Sequence, residues 1–193
     1  MPRRATAALT LTLTLTLVLL AGCGNSRTPL VLDTRAAKPD GLRTLSYPAA
    51  GISFRAPRNW GAVPEYSPMV AVLSSGAAVI ALWRYPRAQP PPAGAPALSQ
   101  ARVSLIGAAR ARDRGLEVIR SGLSTVDGNR AIELDAIERI DGKLRRVRST
   151  HVFVPGAEIV LEEYAPPAGF HAVDHAVFSP LRRSLTLFGA ATP

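Results

Sequence analysis

The alternation of apolar and polar residues predicts several short strands in the first half of the chain. From about Leu45 the pattern becomes strand-like, and Ile52, Phe54 and Ala56 alternate with polar residues up to a turn at 57–61. Two runs rich in Val, Ile and Leu follow, and the Ser-Ser-Gly stretch between them predicts a hairpin connection. The two predicted strands of this hairpin are residues 69–73 and 77–85.

Helical spacing replaces this alternation at Leu98. Apolar residues then recur every three or four positions as far as Ala111, which predicts a helix over residues 98–114 that ends at Gly115. The proline-rich segment 87–97 before it predicts an exposed loop. A short strand is predicted at 116–121, and a second helical region, bent near Ser179-Pro180, at 170–188.

Residues 130–154 form the clearest hairpin. Asp141-Gly142 is a strong two-residue turn signal. A turn centred on it places Ala136 opposite Val147, Ile132 opposite His151, and the acidic residues Asp135 and Glu138 opposite Arg148 and Arg145. These two opposite-charge pairs favour the register. A turn at Pro155-Gly156 leads to another strand, 158–165, which ends at two prolines.

The order of elements predicts the fold class. Several strands, one helix, four more strands and a terminal helix are joined mostly by hairpins. Hairpins produce a largely antiparallel sheet, and helices cover its apolar faces. We therefore predict an α+β domain in which helices flank an antiparallel sheet, as an α/β/α sandwich, over residues 45–190.

The amino-terminal segment has the features of a secretory signal peptide over residues 1–22. Arg3 and Arg4 precede an apolar run at 7–20, which is too short for a membrane-spanning helix. The arginine pair also occurs in twin-arginine export signals, but hydrophobic residues do not follow it directly, so the general secretory route is favoured. Leu20-Ala21-Gly22-Cys23 resembles the lipobox of bacterial lipoproteins at all four positions.

This resemblance implies that Cys23 is a lipidation site. In bacterial lipoproteins the cysteine thiol receives a diacylglyceryl group, and a peptidase then cuts before the cysteine. The alternative is a chance cysteine at an ordinary cleavage site. Acyl chains on one residue, palmitate among them, would hold the protein durably on the extracytoplasmic face of the cell membrane. We interpret residues 23–44 as the lipidated amino terminus and a flexible tether.

Composition narrows the possible classes of protein. Apolar residues make up 47% of the chain and charged residues 19%, as in a folded domain. A single cysteine excludes an intramolecular disulfide and cysteine-based zinc sites. The formal charge of +9 comes almost entirely from arginines, which are scattered along the chain rather than clustered among aromatic residues. Such a distribution argues against nucleic acid as a partner.

Three stretches resemble the PsbP-like family. The first is the strand and turn at 51–60, with its proline and tryptophan. The others are the small-residue stretch 128–131 before a long strand and the closing segment 178–185. This fold is shared by the extrinsic photosystem subunit of that name, by Ran-binding nuclear import factors and by many bacterial lipoproteins, among which actinobacterial ones are most similar. The resemblance covers about residues 45–188. It implies a binding or assembly protein without an active site.

One cluster could bind a metal. His171 and His175 are four residues apart and would share one face of a helix, as two zinc-binding imidazoles do. Asp174 could add an oxygen ligand. The alternative is a pair of surface histidines on the polar side of the helix, because the glutamate of the zinc protease motif and a third ligand are missing from the sequence.

Other candidate residues give weaker evidence for a catalytic or binding site. His151 is predicted on an apolar sheet face, either as a core histidine with a backbone partner or as a pocket histidine. Glu162 and Glu163 are adjacent on a strand, point to opposite faces and cannot act as a pair. The arginines at 145, 146 and 148 form a basic patch, either a solvated hairpin rim or a surface for anionic lipid or polymer. No nucleophile or phosphate-binding motif and no cofactor is indicated.

The sequence thus supports two hypotheses about function. The first is a non-catalytic binding or assembly module of the cell envelope, with the membrane as one partner and an envelope protein or anionic surface polymer as another. Its binding residues are expected in the exposed segments Tyr66-Ser67-Pro68 and 87–97. The second is a metal-dependent envelope enzyme that uses His171, Asp174 and His175.

Overall fold

The computed structural model describes residues 34–64 and 66–188, and antiparallel strands make up much of this part of the chain. The signal peptide and Cys23 lie outside the described residues. The strands are β1 Leu42–Tyr47, β2 Ile52–Pro57, β3 Gly61–Pro64, β4 Met69–Ser75, β5 Ala78–Pro86, β6 Glu117–Val126, β7 Asn129–Ile140, β8 Lys143–Val154, β9 Ala157–Ala165 and β10 Thr186–Leu187. One sheet has the order β3-β4-β5-β9-β8-β7-β6, and a smaller one has the order β1-β2-β10.

Helices cover both faces of the seven-stranded sheet. On one face α1, Gly94–Arg112, packs Leu98 and its neighbours against Ile132 and Phe153. On the other face lie α2, Pro167–Val173, a π-helical turn, Asp174–Phe178, and α3, Ser179–Arg183, together with the three-stranded sheet. This is the predicted α/β/α arrangement. Among the described helices, none combines the length and apolar character that crossing a membrane requires.

The main core lies between the seven-stranded sheet and the layer formed by β2 and the carboxy-terminal helices. Phe178 is fully buried there, with Trp60 edge-on at 6.3 Å between ring centroids and Phe170 tilted at 5.6 Å. Trp60 follows the turn that ends β2, so the strand–proline–tryptophan pattern at 51–60 anchors the smaller sheet in the core. Edge-to-face aromatic pairs contribute about 0.5–1.5 kcal/mol beyond their buried area.

The predicted register of the long hairpin is confirmed. Ala136 pairs with Val147, Ile132 with His151, and Asp135 with Arg148. The turn residues Asp141 and Gly142 both have positive φ, 49° and 73°, as a type I′ turn requires.

Several element boundaries differ from the prediction. The strand predicted to begin near Leu45 begins at Leu42, and β6 extends to Val126 instead of ending at 121. Helix α1 begins at Gly94 because Pro96 fits the first turn of a helix, where its missing N–H costs nothing. Strand β3 was missed because it has only four residues and ends in proline. The terminal helical region ends at Arg183, and β10 follows it.

The segment 34–40, which falls within the predicted tether, is fixed to the domain. Thr34 accepts a hydrogen bond from the backbone N–H of Ala77 at 2.9 Å, and the N–H of Ala37 donates to Ser75 Oγ at 2.8 Å. Gly76 has positive φ, and a Cβ on it would clash with the Arg35 carbonyl. A flexible tether therefore remains a prediction only for residues before Thr34, outside the described part of the chain.

Charged residues form a buried row across the sheet, on the face covered by the carboxy-terminal helices. Asp135, Arg148 and Glu163 are neighbours in register on β7, β8 and β9, and their exposed fractions are 1%, 5% and 0%. Arg148 donates to Asp135 at 3.2 Å and to Asp174 of the π-helical turn at 2.6 Å. Arg182 of α3 donates to Glu163. We call these five residues the ionic row.

The pKa values of two acids of the ionic row are shifted in opposite directions. Burial alone would raise the pKa of Asp135, but hydrogen bonds from Arg146 and Arg148 outweigh it, so the pKa is lowered. Complete burial raises the pKa of Glu163 to about 7, although Arg182 and Arg148 oppose the rise. Its Oε2 accepts from Arg182, whereas its Oε1 has no hydrogen-bond partner.

The Leu134→Asp substitution should destabilise the domain severely. Leu134 is 7% exposed beneath α1, so the new carboxylate would be buried without a partner, at a cost of several kcal/mol against a typical total of about 5–15 kcal/mol. Leu144→Asp is the control, because Leu144 is 49% exposed on the same hairpin. Urea unfolding monitored by circular dichroism measures both. A Leu134→Asp domain as stable as the control would contradict the assigned strand faces.

Glu163 should make stability fall as pH rises. Its pKa is about 7 in the folded protein and 4.5 as an ordinary glutamate, so between these values the folded state binds more protons than the unfolded state. Its contribution to the slope approaches about −1.4 kcal/mol per pH unit. Glu163→Gln should remove this part of the slope, and Glu117→Gln, at an exposed position, should not. Equal slopes for wild type and Glu163→Gln between pH 4.5 and 7 would refute the assignment.

Candidate functional site

A cleft lies on the face of the sheet that α1 covers only in part. Helix α1 packs over β6, β7 and β8, and the same face of β4, β5 and β9 forms the floor of the cleft. Its volume is about 570 Å³, within the range of small-molecule sites. The floor consists of apolar and aromatic side chains at alternate strand positions: Met69, Val72, Val79, Ala81, Trp83, Tyr85 and Tyr164.

Charged side chains line the edge of the cleft next to α1, and four of them, Asp141 at the hairpin turn among them, lack side-chain partners in the described residues. Glu138 and Glu162 form no ion pair or side-chain hydrogen bond in the described residues, and the same holds for Arg112 at the end of α1. Burial raises the pKa of Glu138, and the charge of Glu162 adds to the rise. Burial likewise raises the pKa of Glu162, against the opposing charges of Arg112 and His151.

The two tyrosines of the cleft are electrostatically coupled to Glu162. Burial raises the pKa of the Tyr85 phenol, and the charge of Glu162 raises it further. Burial also raises the pKa of Tyr164, again with a contribution from Glu162. Glu162 therefore lies within electrostatic range of both phenols as well as of Arg112. The cleft combines an aromatic floor with hydrogen-bonding groups that have no side-chain partner in the described part of the chain.

His151 lies beside a small cavity under α1, so the structure favours the pocket alternative over a core histidine with a backbone partner. Its Nδ1 is 2.7 Å from Glu158 Oε1, and its Nε2 is 2.9 Å from Ser149 Oγ. The cavity, about 40 Å³, is lined by Ser149, His151 and residues of α1, and it shares Arg112, Glu138 and Glu162 with the cleft. Burial alone would raise the pKa of Glu158, but the hydrogen bonds from His151 and Arg87 lower it.

The Ser149–His151–Glu158 chain has the order of a nucleophile, a base and an orienting acid. However, Ser149 is 6% exposed and lies on β8, between β7 and β9. Backbone N–H groups of such a central strand bond to the neighbouring strands, so none is free to stabilise an oxyanion. We interpret these three hydrogen-bonded side chains as structural, because they fix the residues that form the floor of the cavity.

The structure does not bring His171, Asp174 and His175 together as metal ligands. Asp174 accepts hydrogen bonds from Arg148 at 2.6 Å and from Ser179 Oγ at 2.9 Å, so its carboxylate belongs to the ionic row. Both histidines are exposed. Residues 34–64 and 66–188 contain no group of three potential ligands. The polar-surface alternative fits His171 and His175.

The arginines of the predicted basic patch do not form one surface patch, because Arg145 lies on the opposite face of β8 from Arg146 and Arg148. Arg148 is buried in the ionic row. Arg146 donates to both oxygens of Asp135 at 3.0 Å, and its guanidinium lies 4.9 Å from the centre of the Phe170 ring. Their position on the hairpin predicted a solvent-exposed rim, but the carboxy-terminal helices cover the face of β8 that carries Arg146 and Arg148.

Neither of the two predicted binding segments lines the cleft. Tyr66 is 90% exposed, and Pro68 lines a second groove of about 550 Å³ with Tyr47, Pro48 and Arg84. The segment 87–97 is tied to the sheet, because Arg87 pairs with Glu158 at 2.7 Å and Arg130 donates to the Pro92 carbonyl at 3.2 Å. The sequence showed the cleft residues as strand residues, but it did not show that α1 leaves them uncovered.

Comparisons with known proteins identify similar folds. The sequence matches no protein-family model and no curated protein. The solution structure of cyanobacterial PsbP (CyanoP) from Synechocystis sp. PCC 6803 has a TM-score of 0.60 and 14% identity, over 88% of this chain and 99% of that chain. LpqN, involved in cell envelope biogenesis of Mycobacterium tuberculosis, has a TM-score of 0.48 and 17% identity, over 78% and 87% of the two chains.

The predicted fold class is therefore confirmed. The domain has the PsbP-like fold, with antiparallel sheets and helices in an α+β arrangement, and CyanoP shares it over nearly its whole length. Identity of 14% supports a shared fold and no transfer of activity.

Asp174 should matter for stability and not for metal binding. Asp174→Asn should destabilise the domain by about 1–3 kcal/mol, because Arg148 loses a charged partner and keeps Asp135. His171→Ala should change stability by less than about 0.5 kcal/mol, as for an exposed residue. Thermal unfolding with and without one equivalent of zinc measures both effects. Stabilisation by zinc that either substitution abolishes would restore the metal hypothesis.

Proposed function

We propose that this protein is a lipid-anchored binding module of the cell envelope, which presents the cleft between α1 and the open part of the sheet to a ligand at the membrane surface. The observation that carries this proposal is the cleft itself. A folded domain normally pairs its half-buried charged groups, whereas Glu138 and Glu162 form no ion pair or side-chain hydrogen bond within the described residues and lie beside an aromatic floor. Such groups are typical of a site completed by a ligand.

The proposed location comes from the amino terminus. The apolar run and Leu20-Ala21-Gly22-Cys23 favour export and acylation of Cys23. Cleavage before Cys23 would remove Arg3 and Arg4 and leave a formal charge of +7. The protein would then remain on the extracytoplasmic face of the membrane, with the cleft on the anchored domain.

Binding is favoured over catalysis on chemical grounds. Ser149 lies on a central strand whose backbone N–H groups bond to the neighbouring strands, and the Asp174 carboxylate accepts hydrogen bonds from Arg148 and Ser179. The proposed partner is a ligand of the envelope rather than an anionic polymer, because the arginines at 146 and 148 are directed into the ionic row and the cleft carries unpaired carboxyl groups.

Cys23→Ala should block lipidation and maturation. Without the thiol no thioether can form, so the variant should lose incorporation of labelled palmitate and accumulate as a precursor or be cut elsewhere. Ser26→Ala, just beyond the lipobox, is the control and should be processed normally. Fractionation of cells and mass measurement of the mature protein check the result. Normal maturation and palmitate labelling of Cys23→Ala would refute the anchor.

Photo-cross-linking in intact cells tests the binding site. A photoreactive residue at Val72, on the cleft floor, should give a specific cross-linked product, and one at Val103, 58% exposed on α1 outside the cleft, should not. The yield from Val72 should fall in the Cys23→Ala variant, because the domain is no longer held at the membrane. Equal cross-linking from both positions would contradict the cleft as the binding site.

A further inference from the structure

We propose that the ligand of the cleft is a small organic cation, an ammonium group on an apolar body. This inference rests on the proposed function and specifies its ligand. It follows from three properties of the cleft: the sign of its unpaired charge, the aromatic character of its floor, and its size.

The unpaired charge of the cleft is negative. The carboxylate of Asp113 already has two hydrogen-bond partners, because it accepts hydrogen bonds from the backbone N–H groups of Gly115 and Arg139 at 2.8 Å each. Among the described residues, three carboxyl groups of the cleft then have no hydrogen-bonded partner, the half-buried Glu138 and Glu162 and the exposed Asp141, and they face two exposed guanidinium groups, Arg112 and Arg139. The chain as a whole has a formal charge of +9, so this excess of carboxyl groups is local. A ligand that brings one positive charge would neutralise it.

The floor suits a cation with an apolar body. Trp83, Tyr85 and Tyr164 supply aromatic surface beside Glu162, and ring faces attract ammonium groups. Met69, Val72 and Val79 continue the floor as purely apolar surface. A volume of about 570 Å³ accommodates a small molecule of this kind.

Two other ligand chemistries fit less well. An anion would face four carboxyl groups and two arginines, an excess of negative charge. A neutral polyol would hydrogen-bond to Glu138 and Glu162 but leave their excess charge uncompensated in a partly desolvated cleft. The second groove, beside Tyr47 and Pro68, supports no comparable assignment, because Arg84 is the one charged residue among its described lining residues and already donates to the Ala50 carbonyl at 3.0 Å.

Arg112 provides the sharpest test because its effect depends on the sign of the ligand. For a cation, Arg112→Gln removes repulsion and should strengthen binding at least about threefold, whereas for an anion or a polyol it removes attraction or a donor and should weaken binding. Glu162→Gln should weaken cation binding about tenfold. Arg110→Gln, on the same helix outside the cleft, and the exposed Glu117→Gln are the matched controls and should leave affinity unchanged.

The probes are choline and its neutral isostere 3,3-dimethylbutan-1-ol, titrated by calorimetry into the full-length protein in a nonionic detergent. Choline should bind at least about tenfold more tightly than the isostere, and added salt should weaken it. Circular dichroism verifies that each variant is folded. Equal binding of both probes, weaker choline binding by Arg112→Gln, or no binding of choline would overturn the proposal.

The two proposals fail separately. If choline does not bind but the cross-link from Val72 persists in cells, the cleft is a binding site for another chemistry and only the cation assignment is wrong. If the cross-link from Val72 is no stronger than the one from Val103, the proposed function itself is wrong, whatever choline does in solution.

Discussion

The ionic row is the interaction on which the arrangement of layers depends. Asp135, Arg148 and Glu163 lie side by side on three central strands, and none of them could stay charged in an apolar core without partners. Asp174 and Arg182 supply those partners from the carboxy-terminal helices. Breaking such a pair would leave a buried charge without a partner. The ion pairs, together with the apolar packing of Phe170 and Phe178, therefore hold the helices in one position on the sheet.

The two faces of the sheet differ in how completely they are covered, and the ionic row lies on the closed face. The face with the ionic row is closed by the carboxy-terminal helices and the three-stranded sheet. The opposite face is covered by α1 over β6 to β8 and remains open over β4, β5 and β9. The open part is therefore a consequence of having α1 as the one helix on that side among residues 34–64 and 66–188. A domain stabilised from one face can keep a cleft on the other without losing its core.

The groups of the cleft contrast with those of the ionic row. Both contain carboxyls with raised pKa values, but Glu163 is sealed beneath α3 with Arg182, whereas Glu138 and Glu162 face the cleft without partners. Adjacent residues of β9, Glu162 and Glu163, thus serve opposite faces, as strand geometry predicts. Glu163 pairs with Arg182 between the layers, and Glu162 faces the cleft. The Ser149–His151–Glu158 chain has a structural role, because its hydrogen bonds fix the side chains that line the cavity under α1.

The sequence by itself determined the strands with clear alternation, the register of the long hairpin, the fold class and the candidate anchor at Cys23. These are local properties: a type I′ turn at Asp141-Gly142 sets every pair along β7 and β8. Only the tertiary structure decided which positions are covered. It placed Arg148 in the core rather than on a rim, assigned Asp174 to Arg148 rather than to a metal, and left Trp83 and Glu162 facing a cleft. Alternation along a strand distinguishes its two faces, but the element that packs on each face comes from distant parts of the chain.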